Sequence, residues 1–215
     1  RIEATMASLQ GNVAGEISIG CSTTSGKYLL PGLIVRFRQR YPHVGMGVVV
    51  ASRQTILNRL KEGQLPLGVT SKHFGQSDIE YTDFFTDEVI LIVPRQHRWA
   101  QFGSIYPDDI LDEPLILREE GAGTLEVLYD GLRQHDISPD MLKVVMTLGN
   151  AEAIEMAVEE ELGVAFISRL AAARGLALGR IAEVKVERMP LSREIYLARC
   201  LNFPITRSQA EFWDF

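Results

Sequence analysis

Hydroxyl-bearing residues follow the first apolar segment of the chain in an unbroken run. Ser22–Ser25 comes shortly after Val13–Gly20 and opens an amphipathic stretch. Helix capping explains one such hydroxyl, but four in a row exceed what a cap needs. Two arginines, Arg53 and Arg118, each follow a later apolar segment. Hydroxyl and guanidinium groups donate hydrogen bonds to carboxylate, phosphate or sulfate, so the chemistry these residues offer is anion binding.

The elements that must position these residues repeat one arrangement: an apolar strand, a polar or glycine turn, and then an amphipathic helix. The strands of this repeat are predicted at Val13–Gly20, Leu115–Leu117, Val144–Leu148 and Val164–Ile167. Alternating strands and helices are typical of parallel sheets, whose ligands lie beyond the carboxyl ends of the strands. Helix N-termini at that edge present unpaired N–H groups and partial positive charge. The pattern predicts an α/β protein that holds a small molecule.

Further elements complete two successive units of this kind. Additional strands are predicted at 44–50, 67–69, 89–93 and 194–200, and helices at 27–41, 124–135, 151–161 and 209–215. A short helix is marked by Ile56, Leu57 and Leu60. We expect two similar lobes, with the strand at 194–200 returning the chain to the first.

Composition narrows the class of protein. The 215 residues are 46% hydrophobic and 23% charged, as in ordinary globular proteins. The net charge of −6 argues against binding of nucleic acid by this chain. No apolar run is long enough to span a membrane, and no signal peptide is visible. The chain begins with Arg1, and apolar residues at helical spacing predict that residues 1–12 end a linker helix of a longer protein. Cys21 and Cys200 are expected to be free thiols in a reducing cytosol, which predicts a cytoplasmic protein.

Several catalytic and cofactor motifs are absent or incomplete. Gly20–Lys27 resembles a phosphate-binding loop but has one residue too many, and Tyr28 replaces the Ser or Thr that would bind a metal. Gly121–Gly123 lacks the third glycine of a dinucleotide fingerprint. Cys21 stands at a strand-to-helix turn, but it is expected to be a small buried thiol rather than a nucleophile. We predict no cofactor and no metal site, because the histidines stand singly at 43, 73, 97 and 135.

Taken together, the motifs of this chain resemble the effector-binding domain of LysR-type transcriptional regulators, from about Gly11 to the C-terminus. Each motif alone is common, but their order and spacing are specific. The matching stretches are Gly15–Gly20, Leu29-Leu30-Pro31 with Phe37 and Tyr41-Pro42, Leu60–Gly63, Pro114–Leu117, Gly121–Thr124, Gly149-Asn150 and Glu161–Ile167.

This resemblance implies two Rossmann-like lobes joined by two crossover strands, similar to type 2 periplasmic binding proteins, with the effector in the cleft. The first lobe would comprise 13–88 and 194–215, and the second 89–193. The family forms homodimers, often paired into tetramers. It contacts DNA only through an N-terminal winged helix-turn-helix that this chain lacks. We therefore expect an effector sensor without enzymatic activity.

The resemblance also implies where the effector binds. The first lobe would contribute the turns after its three strands, and the second lobe the corresponding turns of its own sheet. The expected ligand-binding residues are Ser22, Thr24, Ser25, Ser52, Arg53, Thr70, Ser71, Arg118, Glu119, Gly123, Thr124, Asn150 and Ser168. The hydroxyl-rich first turn followed by Lys27 and Tyr28 is similar to regulators of sulfur assimilation and carbon fixation, whose effectors are small anions.

Two other functions fit the same architecture. A periplasmic-type solute-binding protein would bind a free solute for a transporter, and an encoded winged helix upstream would exclude it. A deaminase-like lyase would need an acid and a base in the cleft, where Glu119 is the carboxylate that the pattern places; turnover by the isolated chain would reveal it.

Overall fold

A computed structural model describes residues 13–71 and 75–215. The chain divides into unit 1, residues 1–85 and 194–215, and unit 2, residues 86–193. The helix predicted at residues 1–12 lies outside the described residues, as does His73. Among the helices that are described, none is long and apolar enough to cross a membrane.

The elements follow one another in an order that alternates strands with helices. The strands are β1 Gly15–Cys21, β2 Val44–Val50, β3 Leu67–Thr70, β4 Ile79–Pro94, β5 Ser104–Ile105, β6 Pro114–Arg118, β7 Lys143–Leu148, β8 Val164–Ser168, β9 Ile181–Val186 and β10 Ser192–Cys200. The α-helices are α1 Leu30–Arg40, α2 Arg53–Lys61, α3 Arg98–Phe102, α4 Gly123–Arg133, α5 Ala151–Glu159, α6 Arg169–Ala177 and α7 Arg207–Trp213. A π-helical turn, Ser25–Leu29, precedes α1, and 3₁₀ turns lie at Pro107–Asp112 and Pro139–Met141.

Unit 1 is built around β1, which pairs in parallel with β2 on one side and with β3 on the other. β10 continues the sheet antiparallel to β3. Ile17 and Ile19 on β1 are fully buried and share a core with Phe37 of α1 and Phe212 of α7. Buried residues of β1 alternate with the exposed Glu16 and the half-buried Ser18 in its first half, and the polar run Ser22–Ser25 follows its buried carboxyl end.

Unit 2 repeats this plan around β6, which pairs in parallel with β7 and β8. The second half of β4 lies antiparallel to β8 and also pairs with β9. Leu115 on β6 is fully buried in a core that includes Leu128 of α4 and Phe166 of β8. β4 and β10 are the strands that pass from one unit into the other.

The predicted α/β class is confirmed, with differences in detail. Pairing is parallel around β1 and β6, as expected, and the strands that pass between the units, β4 and β10, run antiparallel to their neighbours. The predicted strand at 89–93 is the second half of β4, which begins at Ile79. The first half mixes polar and apolar residues, so it lacks the continuous apolar run from which the strand was predicted. The predicted helix 27–41 starts with the π-helical turn, and Pro31 stands in the first turn of α1, where a missing N–H costs no hydrogen bond. The sequence prediction did not include α6 or β9.

One turn of unit 2 carries backbone strain. After α5 the chain reverses through Glu161, whose φ is 61°, a left-handed conformation that costs a residue with a Cβ atom free energy. The neighbouring Glu160 has a φ of −84°. Both side chains are exposed, so the two positions differ mainly in backbone conformation.

We expect Glu161→Gly to raise the free energy of unfolding by about 0.5–1 kcal/mol, because glycine adopts positive φ without strain. Glu160→Gly removes the same charge but should lower it by a similar amount, since glycine only adds freedom to the unfolded chain there. Urea unfolding of both variants checks this. Equal effects of the two substitutions would show that charge rather than backbone strain decides the outcome.

Candidate functional site

In unit 1 the carboxyl ends of three parallel strands lie side by side. β1 is the middle strand: Cys21 is paired with Val50 of β2, and Gly20 with Gly68 of β3. The turns that follow these strands therefore share one edge of the sheet. That edge carries the predicted residues Ser22, Thr24, Ser25, Ser52, Arg53, Thr70 and Ser71.

The turn after β1 holds hydroxyls in different surroundings. Ser22 is exposed, and its Oγ accepts a long hydrogen bond of 3.4 Å from the backbone N–H of Ser25. Thr24 and Ser25 are buried, and the Thr24 side chain makes no capping bond to the helical turn that follows it. Capping therefore accounts for Ser22 but not for Thr24.

The other two turns of this edge are partly committed to local structure. Ser52 caps α2: its Oγ accepts from the Thr55 N–H at 3.2 Å and lies 2.9 Å from the Thr55 Oγ1. Arg53 is the first residue of α2 and is half-buried, while Thr70 is buried at the end of β3 and Ser71 is half-buried. Arg53 and Thr70 both interact with other residues of the chain.

Unit 2 presents a second edge of the same kind. β6 is the middle strand, with Arg118 paired to Leu148 of β7 and Ile116 paired to Ala165 of β8. The turns beyond these ends carry the remaining predicted residues, which are Arg118, Glu119, Gly123, Thr124, Asn150 and Ser168.

Arg118 is paired with its own neighbour in the sequence. Its Nε donates to Glu119 Oε2 at 2.7 Å, and its Nη2 donates to Glu119 Oε1 at 2.9 Å. The Arg118 side chain is 11% exposed and that of Glu119 is 45% exposed, so the pair is reached from the Glu119 side. An anion that takes the same two donors of Arg118 must displace the Glu119 carboxylate.

The start of α4 holds a buried hydroxyl that the protein does not satisfy. Ala122 stands at the N-cap position and has no side chain that can cap the helix. Thr124, in the first turn, is 2% exposed, and none of the described residues forms a hydrogen bond with its Oγ1. A buried hydroxyl without a partner costs about 1–3 kcal/mol of folding free energy.

Asn150 and Ser168 serve the structure of unit 2. Asn150 caps α5 by accepting from the Ala153 N–H at 2.8 Å. Ser168 is 1% exposed and donates its hydroxyl proton to Asp87 Oδ1 at 2.6 Å. Arg193 donates to the other oxygen of Asp87 through Nε at 2.9 Å and Nη2 at 2.7 Å.

Sequence reasoning did not identify Asp87 or Arg193. They are separated by more than a hundred positions, and only the pairing of β4 and β10 into one sheet brings them together. The available signal was a charged residue, Asp87, immediately before a strongly apolar strand segment.

Among the described residues, the thiol predicted to stand at the first turn is not activated, and no metal-binding cluster forms. Burial raises the pKa of the Cys21 thiol to about 11, so it is protonated and a poor nucleophile at neutral pH. Within residues 13–71 and 75–215, no three side chains of His, Cys, Asp or Glu cluster as a metal site would require. His97 instead caps α3 and lies 3.5 Å from Glu113.

Helix starts and hydroxyls gathered beyond the ends of parallel strands define a small-molecule-binding domain. Residues 10–215 match the LysR substrate binding domain family, and the chain belongs to that family. The predicted membership among LysR-type regulators is thereby confirmed.

Proteins with similar sequences are described as regulators of transcription. The chain is 31% identical over 210 residues to an HTH-type transcriptional regulator of Methanocaldococcus jannaschii, described as uncharacterized, covering 98% of this chain and 71% of that protein. It is 34% identical over 188 residues to a probable RuBisCO transcriptional regulator of Porphyra purpurea, covering 86% of this chain and 59% of that relative. The chain thus spans about three-fifths of the length of the second relative.

The fold is also shared with a solved structure that contains a ligand. The effector binding domain of QuiR in complex with shikimate aligns with a TM-score of 0.82 over 94% of each chain, at 21% identity. At that identity the likeness establishes the fold alone.

We expect Arg193→Met to lower the free energy of unfolding by about 3–5 kcal/mol, because it leaves the buried Asp87 carboxylate without its counter-charge. Adding Asp87→Asn to that variant should restore part of the loss. Arg133→Met, which breaks the exposed pair with Asp130, should change stability by less than about 1 kcal/mol. Denaturant unfolding measures all three, and a double variant no more stable than Arg193→Met would contradict this account.

Proposed function

We propose that the chain senses a small anionic metabolite for a LysR-type transcriptional regulator and transmits its binding to a DNA-binding domain. The DNA contacts would come from a winged helix-turn-helix outside this chain, and the role assigns the protein to the cytoplasm. Family membership and the HTH-type relative support the regulatory role.

The observation that carries the proposal is the unsatisfied hydroxyl of Thr124 at the start of α4. An anion placed there would accept a hydrogen bond from this hydroxyl and from the first N–H groups of the helix, whose dipole favours negative charge. The Thr24 hydroxyl and the helical turn after it offer a similar set of donors in unit 1. Shikimate, a carboxylate, is the ligand of a protein with the same fold.

The net charge of −6 makes these local donors necessary, since the protein as a whole repels anions. Arg53 stands at the start of α2 beside the hydroxyl edge of unit 1 and supplies one positive charge. Arg118 supplies another in unit 2 once Glu119 is displaced. Selectivity then rests on an anion that can replace a carboxylate at Arg118.

Other functions have less support. Membership of a regulator family favours a sensor over a periplasmic-type solute-binding protein. An enzyme would need an acid and a base, and Glu119, the carboxylate predicted for that role, is held by Arg118. We therefore propose that the chain has no catalytic activity.

The first test is thermal unfolding with sulfate, inorganic phosphate and shikimate as probes. A ligand at a hundred times its Kd stabilises the folded state by about 2.7 kcal/mol.

We expect Thr124→Val to raise the melting temperature of the ligand-free protein, because it removes an unsatisfied buried hydroxyl. The same substitution should weaken binding of the stabilising anion by about 1–3 kcal/mol, and Thr24→Val should do likewise.

Calorimetry on folded variants decides between the two turns. Thr82→Val, on β4 outside both turns, is the matched control and should leave anion affinity unchanged. Loss of affinity in either test variant would assign the corresponding turn to an anion site. Unchanged affinity in both would remove these turns from the effector site.

We also propose that the protein forms a homodimer through its two edge strands. β2 and β7 end the order of paired strands, and each exposes apolar side chains: Val50 is 53% exposed and Val145 is 48% exposed. On α1, Val35 is 57% exposed beside the stripe that packs on the core. An edge strand with exposed valines can pair with another strand or be covered by another apolar surface. A second copy of the chain supplies such a surface.

Val145→Lys should therefore shift the protein from dimer to monomer in sedimentation velocity at tens of micromolar, since it places a charge within apolar surface. Phe102→Lys, at an exposed apolar position at the end of α3, is the control and should leave the dimer intact. A wild-type protein that sediments as a monomer would refute the dimer.

A further inference from the structure

Unit 1 contains a second recess that the effector proposal does not use. It is a cavity of about 380 Å³ between the start of β1, the turn before β3 and the segment that joins β10 to α7. Glu16 and Ser18 of β1 contribute polar groups, while Leu65, Phe203 and Ile205 contribute apolar walls. Ligand pockets in proteins are commonly of this size and mixed character.

Two glycines make room for the side chains that shape this cavity. Glu16 is paired across the sheet with Gly45, and a Cβ atom at Gly45 would lie 2.2 Å from both carboxylate oxygens of Glu16. The carboxylate therefore lies across the neighbouring strand. A Cβ atom at Gly63, whose φ is 69°, would lie 2.7 Å from the ring of Phe203. Glycine at these two positions leaves the space that the carboxylate and the ring occupy.

The described lining of the cavity carries a negative charge and no positive charge. Neither the Glu16 carboxylate nor the Ser18 hydroxyl has a hydrogen bond or ion pair with any described residue, and the described residues of the lining include no Lys, Arg or His. Phe203 is 43% exposed and presents an aromatic ring. A carboxylate and an aromatic ring are the two groups that attract an organic ammonium ion, and the apolar walls favour a carbon body.

We propose that this cavity binds a small organic monocation, an ammonium group carried on an aromatic or aliphatic body. The Glu16 carboxylate and the Ser18 hydroxyl accept hydrogen bonds from the ammonium group. The body of the ligand packs against Leu65, Ile205 and the Phe203 ring. The site selects a charge opposite to that of the proposed effector.

The two sites of unit 1 are separate. Glu16 is the second residue of β1, and Ser22 follows its last residue, so about 20 Å of extended chain lies between them at roughly 3.3 Å per residue. A result at one site therefore does not depend on the other.

The test is an NMR titration of the ¹⁵N-labelled chain with benzylamine, and with benzyl alcohol as its uncharged counterpart of similar shape. We expect saturating shifts of the amides of Ser18, Leu65 and Ile205, with benzylamine binding about two- to fivefold more tightly than benzyl alcohol, as an exposed ion pair allows. Glu16→Gln should abolish that difference, and Phe203→Leu should weaken binding of both compounds.

Glu120→Gln removes one exposed carboxylate from unit 2 and is the matched control, for which the preference for benzylamine should persist. Equal binding of the two compounds to the wild-type protein would overturn the proposal. So would a preference that survives Glu16→Gln, shifts confined to other residues, or no binding at the solubility limit. Each of these results leaves the anion measurements on Thr24 and Thr124 unaffected.

Discussion

The arrangement of polar groups depends on the burial of two central strands. β1 and β6 are each paired on both sides, and their apolar residues are closed to water. Polar side chains cannot be placed at the buried positions of such strands without desolvation, so most of the polar residues predicted to bind a ligand lie where the strands end. Parallel pairing then brings the ends of three strands to one edge in each unit. The hydroxyl edges follow from the way the cores are built.

The polar residues in the turns at these edges form two groups: those whose hydrogen bonds stabilise the fold, and those whose hydroxyls are available to a ligand. Ser52 and Asn150 cap helices, and Ser168 donates to a buried carboxylate. Thr24 caps nothing, and Thr124 has a buried oxygen that no described residue satisfies. Residue type alone does not separate these groups, because Ser, Thr and Asn are all good caps. The distinction lies in which N–H groups the folded backbone presents to each side chain.

The sequence predicts the strands with continuous apolar character well. β2 has the predicted bounds 44–50, because a mainly apolar run between Pro42 and Ser52 indicates both the strand and its two ends. α6 was missed because its alanines and glycine give a weak apolar stripe, and the first half of β4 was missed because Asp83 and Asp87 interrupt it. The network of Asp87, Ser168 and Arg193 depends on long-range pairing, so the local sequence shows a charged residue at Asp87 but not its partners. The predicted residues do reach the two sheet edges, but the capture of Arg118 by Glu119 depends on side-chain geometry that spacing does not encode.

That capture has a consequence for the ions around the protein. The guanidinium of Arg118 already holds a carboxylate through two hydrogen bonds, so an anion that would bind through the same Nε and Nη2 donors competes with Glu119 for them. Chloride offers a single spherical charge and cannot reproduce two parallel N–H···O bonds, whereas a planar carboxylate or a phosphate can. In the proposed effector site, Glu119 therefore favours an anion with two suitably placed oxygens over a spherical ion. An anion that takes the place of Glu119 leaves that carboxylate without its ion pair, and the surface of unit 2 then carries an unpaired negative charge beside the bound ligand.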